Sequence, residues 1–226
     1  MKNAALSERL SVAAEFVRQG AVFADVGTDH AYLPIFLLEN GRITKAFALD
    51  INEGPLNKAR ENAKNTGFFD KMEFILTDGA LALSDKGITD VAICGMGGEL
   101  IADIIERAPF LKDSAIRLIL QPMTKQAHLR RYLAERGFKI LEESFVSEER
   151  HHYTVMKVEF CNEPYEISDI EAEIGALELD FTISRRAYAE EKLRALKKAA
   201  FGMASGGIST EREDRKIREI EKILKG

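Results

Sequence analysis

The sequence predicts an α/β protein in which a doubly wound parallel sheet ends in an antiparallel hairpin and is followed by an α-helical, coiled-coil-like arm. Five short apolar segments alternate with helical patterns over residues 21–137, which is typical of a parallel sheet covered by helices on both faces. Two further apolar segments, Phe138–Val146 and Tyr153–Phe160, are joined by a link too short for a crossover helix, so we expect them to pair antiparallel. Beyond residue 160 the sequence shows helical patterns alone.

The apolar runs and the Gly, Pro and Asp residues that end them set the strand boundaries. The predicted strands are Ala21–Val26, Ala46–Asp50, Met72–Thr77, Asp90–Cys94, Ile116–Gln121, Phe138–Val146 and Tyr153–Phe160. An amphipathic helix is predicted over residues 3–18, ahead of the first strand. Because Asn162-Glu163-Pro164 interrupts the pattern, we predict one domain over residues 1–161 and a helical arm over residues 162–226.

Composition limits the class of protein. A chain of 226 residues with 46% hydrophobic and 31% charged residues is that of a globular protein with room for one domain and an appendage. The net charge of −5 shows no basic excess over the whole chain, which counts mildly against a nucleic-acid partner. No apolar run reaches membrane-spanning length, so we expect a cytoplasmic protein without a membrane partner. Cys94 and Cys161 stand far apart and the His151-His152 pair has no partner at metal spacing, so we expect no metal.

The first strand runs into a glycine turn and a helix, in the stretch AVFADVGTDHAYLP over residues 21–34. Gly27 allows the backbone to approach a ligand closely, and the free N–H groups of the next helix face the same crevice. A dinucleotide fingerprint would need glycines where Asp29 and Tyr32 stand, and no Walker A lysine follows. A ligand with one adenosine and no phosphate, such as S-adenosylmethionine, therefore suits this turn. A strand–turn–helix unit without a ligand is the alternative.

Acidic residues follow three successive strands, as Asp25, Asp50 and Asp78. Ligands of doubly wound sheets bind beyond the carboxyl ends of the strands. Asp50 follows Asp25 by 25 residues, the interval at which a second-strand carboxylate accepts from a ribose diol, although a helix-entry cap is the alternative. We expect Asp78 to accept from an adenine amino group, with Gly79 relieving crowding.

A second glycine-rich segment, Gly95–Gly98, follows the fourth strand. Its backbone is able to come close to a base and offer carbonyl acceptors, while a tight strand-to-helix turn is the alternative. His30 and Tyr32 follow the first glycine turn, where they would flank a ligand or stack on a base. A general-base role for His30 is a further alternative, beside a purely structural one.

The C-terminal segment predicts an antiparallel helical hairpin. A long helix is predicted first, followed by a turn at Ser205-Gly206-Gly207 and a last helix that begins at Thr210. The apolar stripe of the long helix is Leu177, Phe181, Ser184, Tyr188, Leu193, Leu196 and Ala200. From Arg185 onward, 12 Lys and Arg face 7 Asp and Glu, a local charge of +5 in an acidic chain. This asymmetry favours an anionic partner, and a solvated coiled coil laced with salt bridges is the alternative.

Several of these motifs together resemble the bacterial tRNA (adenine(22)-N(1))-methyltransferases. The matching stretches, in family order, are LSERL at 6–10, DVGTDHAYLP at 25–34, ALDINEGPL at 48–56, TDGA at 77–80, CGMGGELI at 94–101 and LQPM at 120–123. A parallel core that ends in a hairpin is likewise similar to the Rossmann-like fold of class I S-adenosylmethionine-dependent methyltransferases.

The resemblance implies S-adenosylmethionine as methyl donor, N1 of adenine 22 in the D-arm region of tRNA as acceptor, and a tRNA-binding arm. The implied donor site is Asp25, Gly27, His30, Asp50, Ile51, Asp78, Gly79, Gly95, Met96 and Gly97. The residues expected at the acceptor adenine, as catalytic candidates, are Asp29, His30, Tyr32 and Met96. The residues expected to bind the rest of the substrate are Arg9, Lys192, Arg194, Lys197 and Lys198.

Adenine N1 already carries a lone pair when neutral, so we expect catalysis by positioning of a turned-out base rather than by a strong base. Two other functions stay open at this point. One is a methyltransferase of a small molecule or a protein, with the arm used for dimerisation. The other is a non-enzymatic RNA-binding module that kept the fold. The sequence carries no signal for an oligomeric state.

Overall fold

The computed structural model of the chain describes residues 6–149, 151–177 and 182–225. The strands are β1 Ala21–Val26, β2 Ile43–Asp50, β3 Met72–Leu76, β4 Asp90–Gly97, β5 Arg117–Thr124, β6 Phe138–Glu148 and β7 His151–Phe160. The helices are α1 Glu8–Phe16, α2 Tyr32–Glu39, α3 Glu53–Thr66, α4 Gly98–Glu106, α5 Gln126–Glu135, α6 Asp169–Ile174, α7 Ile183–Ser205 and α8 Glu211–Lys225.

The strands form one seven-stranded sheet in the order β3-β2-β1-β4-β5-β7-β6. The first five are parallel, and β7 runs antiparallel to both β5 and β6. The predicted parallel sheet with a terminal hairpin is therefore confirmed. The strand order reverses between β1 and β4, so the crevice beyond their carboxyl ends is the topological switch point at which such sheets bind ligands.

Helices cover both faces of the sheet, which explains why its central strands are apolar throughout. Successive residues of β1 enter two different cores: Phe23 packs with side chains of α1, α2 and α3, and Ala24 packs with side chains of α4 and α5. Both residues are fully buried. In the described part of the chain, no helix is long and apolar enough to cross a membrane.

Several predicted boundaries are wrong by a few residues, including the start of β2 and the end of β4. The first helix covers Glu8–Phe16, where residues 3–18 were predicted, and residues 1–5 lie outside the described chain. Strand β5 continues through Pro122, although proline has no N–H to donate. Pairing with β7 ends at Leu120, so beyond that residue β5 is hydrogen-bonded to β4 alone, and a proline is tolerated there. The hairpin is longer than its apolar pattern, so the two histidines at 151 and 152 belong to β7 and not to the turn.

The arm contains one helix more than the predicted hairpin. Short α6 opens with a capping box, in which Ser168 and Glu171 exchange side-chain and backbone hydrogen bonds. Its apolar residues pack against α7 and α8 around a small core, formed by Ile170, Ile174, Ala189 and Ile220.

The long helix α7 begins at Ile183, where Thr182 Oγ1 accepts from the Arg185 N–H at 3.2 Å. Leu177, predicted on this helix, lies in a turn, and Phe181 lies outside the described residues. The predicted turn between α7 and α8 is confirmed, with Gly207 in a left-handed backbone conformation. The domain boundary after residue 161 stays a prediction.

One buried guanidinium, that of Arg130 on α5, joins the sheet to the arm. Its Nη2 lies 2.7 Å from Glu143 Oε1 on β6 and 3.2 Å from the Tyr188 hydroxyl on α7, and its Nη1 donates to the Ala172 carbonyl of α6 at 2.6 Å. Burial alone would lower the pKa of Arg130, but the charges and hydrogen bonds of Glu143 and Tyr188 together outweigh it and the pKa is raised. The arginine therefore stays charged inside the protein, with a carboxylate and neutral acceptors around it.

Candidate active site

A cavity of about 830 Å³ opens at the carboxyl ends of β1, β2 and β4, at the switch point of the sheet. Its size is that of a pocket for a small ligand. The predicted residues that line it are Arg9, Asp25, Gly27, Asp29, Tyr32, Asp50, Ile51, Asp78, Gly79, Gly95 and Met96. The described lining does not include His30 and Gly97, which were also predicted for the donor site.

Asp25 is the buried acid of the cavity. It accepts a hydrogen bond from Thr28 Oγ1 at 2.7 Å. Burial raises the pKa of Asp25 to about 6; the Thr28 hydrogen bond opposes the rise, and the charges of Asp29 and Asp50 add to it. A positively charged ligand group would relieve this repulsion, because it favours the ionised carboxylate.

The turn after β1 is fixed by its neighbours. Gly27 has a φ of +77° and donates its N–H to the Leu49 carbonyl of β2 at 2.8 Å. His30 also has a left-handed backbone, with φ of +61°, and its carbonyl accepts from Asn62 Nδ2 at 2.9 Å. A non-glycine residue in this conformation costs on the order of 1 kcal/mol or more and persists only where surroundings impose it. The conformational cost at His30 therefore indicates that the turn after β1 is a functional part of the cavity.

The rings of His30 and Tyr32 are stacked, with centroids 5.3 Å apart. His30 Nε2 lies 3.0 Å from Asp29 Oδ1, so these three candidates form one cluster at the cavity mouth. Tyr32 lines the cavity and is 43% exposed, which leaves part of its ring open to a second ring. In this arrangement His30 supports Asp29 and Tyr32.

The acids after β2 and β3 each have a protein partner. Asp50 Oδ1 accepts from the Asn52 N–H at 2.7 Å, which is the helix-entry contact left open as an alternative, yet the side chain also lines the cavity. Asp78 is held by the two terminal nitrogens of Arg107, at 2.9 and 3.3 Å. Sequence reasoning missed Arg107, because it lies 29 residues further along on another element.

The glycine segment at the end of β4 is held tightly to β5. The Gly95 N–H donates to Gln121 Oε1 at 3.1 Å, and a Cβ atom on Gly98 would lie 2.4 Å from the Lys125 carbonyl oxygen. Strand β4 runs as far as Gly97 and α4 begins at Gly98. The segment is thus a tight strand-to-helix turn, the alternative above, and it still presents Gly95 and Met96 to the cavity.

Strand β5 contributes two lining residues that were not predicted, Gln121 and Met123. Gln121 is fully buried, and its Nε2 donates to Met123 Sδ at 3.5 Å. A buried amide in an otherwise apolar strand was the available signal, since such a group needs partners. Cys94 also lines the cavity, but burial and the charge of Asp25 raise the pKa of its thiol, which therefore stays protonated.

The residues predicted to bind the rest of the substrate lie in different surroundings. Arg9 lines the cavity, where its guanidinium carbon lies 5.2 Å from the centroid of the Tyr153 ring. On α7, Lys192 Nζ donates to Gln126 Oε1 at 2.6 Å and Lys197 pairs with Glu221 at 2.5 Å. The remaining two cations of this set, Arg194 and Lys198, have exposed side chains.

Among the residues that the structure describes, no group of three His, Cys, Asp or Glu side chains is placed to hold a metal ion. His152, considered above, instead has its Nδ1 2.8 Å from the Ser147 hydroxyl across the hairpin.

The fold and the cavity define a methyltransferase domain, and residues 6–156 match the family model of that description. A tRNA (adenine(22)-N(1))-methyltransferase of Bacillus subtilis is 36% identical over 160 residues, which cover 70% of this chain and 67% of that protein. The chain belongs to this family of bacterial tRNA (adenine(22)-N(1))-methyltransferases.

Two solved structures resemble the whole chain. A Streptococcus pneumoniae protein in complex with S-adenosyl-L-methionine is 33% identical, with a TM-score of 0.84 over 97% of this chain and 100% of that one. TrmK of M. capricolum, in complex with S-adenosyl-homocysteine, is 28% identical, with a TM-score of 0.81 over 97% of this chain and 98% of that one. Both cover the arm as well as the sheet.

Proposed function

We propose that this chain transfers a methyl group from S-adenosylmethionine to N1 of adenine 22 of tRNA. The observation that carries the proposal is the cavity at the switch point, with two glycine turns and four carboxylates, in a chain of this family. The same cavity in a chain of another family would support a donor site but would leave the acceptor open.

The residues of the cavity fit the donor. S-adenosylmethionine carries a sulfonium and an ammonium against a single carboxylate, and the cavity offers Asp25, Asp29, Asp50 and Asp78 as opposite charges. We assign the ribose hydroxyls to Asp50, beside Ile51, and the adenine amino group to Asp78. Gly27, with a φ of +77°, allows the chain to turn at the edge of the cavity in a conformation that favours glycine.

Bound in this cavity, the donor supplies an electrophilic methyl group. The acceptor N1 needs no deprotonation, so the work of the protein is to hold the base in line and to exclude competing orientations. Tyr32 packs on the turned-out adenine ring, and Asp29 accepts from its amino group. Methylation at N1 leaves the adenine positively charged, and the carboxylates of Asp25 and Asp29 stabilise that charge.

The arm supplies affinity for the rest of the tRNA. The basic excess lies in residues 185–226, which carry 12 Lys and Arg against 7 Asp and Glu, whereas the charged residues at 162–184 of the arm are all acidic. A polyanion is therefore attracted to α7 and α8 and not to the arm as a whole. We assign phosphate contacts to the exposed Arg194 and Lys198 of α7 and, at the cavity, to Arg9. Binding by these residues should weaken as salt rises.

The experiment that tests the proposal is methyl transfer from labelled S-adenosylmethionine to unmodified tRNA transcripts, followed by nucleoside analysis. We expect 1-methyladenosine with the natural transcript and none with a transcript in which guanine replaces adenine 22. Donor binding without methylation of any tRNA would contradict the proposal. Methylation of a small molecule or protein instead, with the arm joining two copies, would establish the alternative function.

A further inference from the structure

Lys192 of α7 differs from the exposed cations of the arm in what its ammonium contacts. Its Nζ donates to Gln126 Oε1 at 2.6 Å and lies 5.1 Å from the centroid of the Tyr188 ring. Burial, together with the charge of Arg130, lowers the pKa of Lys192 to about 8. An ammonium enclosed in this way is directed at α5, whereas the side chain of Arg194 on the same helix is exposed.

Gln126 connects that ammonium to the end of β5. It is the first residue of α5 and only 4% exposed. Its Nε2 donates to the carbonyl oxygens of Pro122 at 3.3 Å and Met123 at 3.2 Å. The amide oxygen of Gln126 is therefore bonded to Lys192 of the arm, and its amide nitrogen is bonded to Pro122 and Met123 of β5. These hydrogen bonds fix the orientation of the amide.

The same segment forms part of the donor cavity. Met123 lines it, and Met123 Sδ accepts from Gln121 Nε2 at 3.5 Å. Gln121 in turn accepts from the Gly95 N–H at 3.1 Å, on the glycine turn after β4. A continuous set of contacts thus runs from Lys192 through two buried glutamines to the floor of the cavity, although Lys192 itself does not line it.

We propose that Lys192 is a positioning residue of the methyl-transfer site, which fixes Gln126 and through it the Pro122–Met123 segment, whose Met123 lines the donor cavity. The inference rests on the proposed function for the identity of the ligand. Without Lys192, Gln126 Oε1 loses a buried partner and the amide is free to turn away from the two carbonyls. Donor affinity then depends on an arm residue that does not touch the donor.

The test is donor affinity measured by calorimetry, without tRNA, for Lys192→Met, Gln126→Glu and the double variant. Methionine keeps an apolar stem over Tyr188 but donates no hydrogen bond. Glutamate keeps the acceptor for Lys192 but loses the donors to Pro122 and Met123. We expect each single variant to weaken S-adenosylmethionine binding about fivefold, and the double variant to be no weaker than the worse single one.

Two variants serve as controls. Lys198→Met makes the same replacement at an exposed position of α7, and we expect donor affinity to stay unchanged while the KM for tRNA rises. Lys192→Arg keeps a donor at the site and should keep most of the affinity for S-adenosylmethionine. Thermal unfolding of each variant establishes that the protein is folded at the temperature of the titration, and Gln126→Glu carries the test if Lys192→Met does not fold.

Unchanged donor affinity in Lys192→Met would overturn the inference. If its KM for tRNA rose alone, and with a shallower salt dependence, Lys192 would be a phosphate ligand. Multiplicative losses in the double variant would also overturn it, because independent sites add in free energy. The donor affinity is measured without tRNA, so it is independent of the methylation assay. Failure of tRNA methylation would contradict the proposed function but would not affect the conclusion about Lys192.

Discussion

A Cβ atom placed on Gly27 would lie 2.0 Å from the Cε atom of Met96. Gly27 follows β1 and Met96 lies near the end of β4, the two strands between which the order of the sheet reverses. The methyl end of Met96 therefore occupies the space that a side chain at position 27 would need. Both residues line the cavity, so a side chain at position 27 would move Met96 within it.

Gly27→Ala should abolish most donor binding. The left-handed backbone alone costs about 1–2 kcal/mol for a residue with a Cβ, and the new atom also displaces Met96. We expect donor affinity, measured by calorimetry, to fall by more than tenfold. Gly41→Ala is the matched control, because Gly41 has a φ of +62° and, in the described chain, nothing within 4 Å of the added atom. It should lose stability but bind the donor normally.

Asp25→Asn should stabilise the protein and weaken donor binding. The pKa of Asp25 is about 6 in the folded protein against an ordinary 3.8, so the folded state takes up a proton more readily than the unfolded one. Stability therefore falls as pH rises from about 4 to 6, and above pH 6 the ionised group costs up to about 3 kcal/mol.

The measurement is denaturant unfolding of Asp25→Asn and wild type at pH 4 and pH 8. We expect the variant to be more stable at pH 8 and the difference to vanish near pH 4. The exposed Asp85→Asn is the control for the loss of one carboxylate at the surface. Equal stability of Asp25→Asn and wild type at pH 8 would mean that the carboxylate is not destabilised by burial.

Arg107→Met should lower donor affinity without changing stability. The Arg107 guanidinium donates to both carboxylate oxygens of Asp78. Both side chains are exposed, so the ion pair contributes little to the free energy of unfolding. We expect a loss of about threefold in S-adenosylmethionine binding, with unfolding within about 0.5 kcal/mol of wild type. Arg60→Met, which breaks the exposed pair with Glu53, should leave binding unchanged. Tighter binding in Arg107→Met would mean that Arg107 competes with the adenine for Asp78.

His30→Asn should retain turnover within a few-fold of wild type. Asparagine tolerates the left-handed backbone of this position and removes any imidazole base. Because neutral adenine N1 needs no deprotonation, the pH profile of kcat should keep its shape. Loss of turnover with unchanged donor affinity would assign His30 the general-base role that the sequence left open.

The sheet and the position of its cavity were predictable, because both follow from local patterns. Apolar strands alternate with helices, and Asp25-Val26-Gly27 marks the end of β1 by chemistry that acts within a few residues. Helix α6 was missed because six residues show no helical period, and the capping box at Ser168 was its signal.

The contacts that shape the cavity from a distance were not predictable. Arg107 meets Asp78 across 29 residues, and Lys192 meets Gln126 across 66. Periodicity shows only that Lys192 lies on a basic helix, and the same pattern holds for the exposed Lys198. Which of two such lysines faces α5 depends on how the arm packs, and a single sequence carries no signal for that.

The buried Arg130 has a consequence for the evolution of the sequence and for protein engineering. Its partners come from β6, α6 and α7, so Glu143 of the sheet pairs with its charge while the arm supplies the Ala172 carbonyl and the Tyr188 hydroxyl as further acceptors. Removing the arm from the sheet domain would therefore leave the Arg130 guanidinium without its contacts to Ala172 and Tyr188, and we do not expect the remaining domain to be an intact enzyme. A chimaera that borrows the arm of a relative must therefore bring a matching acceptor for this arginine, and the two parts of the chain are constrained to change together.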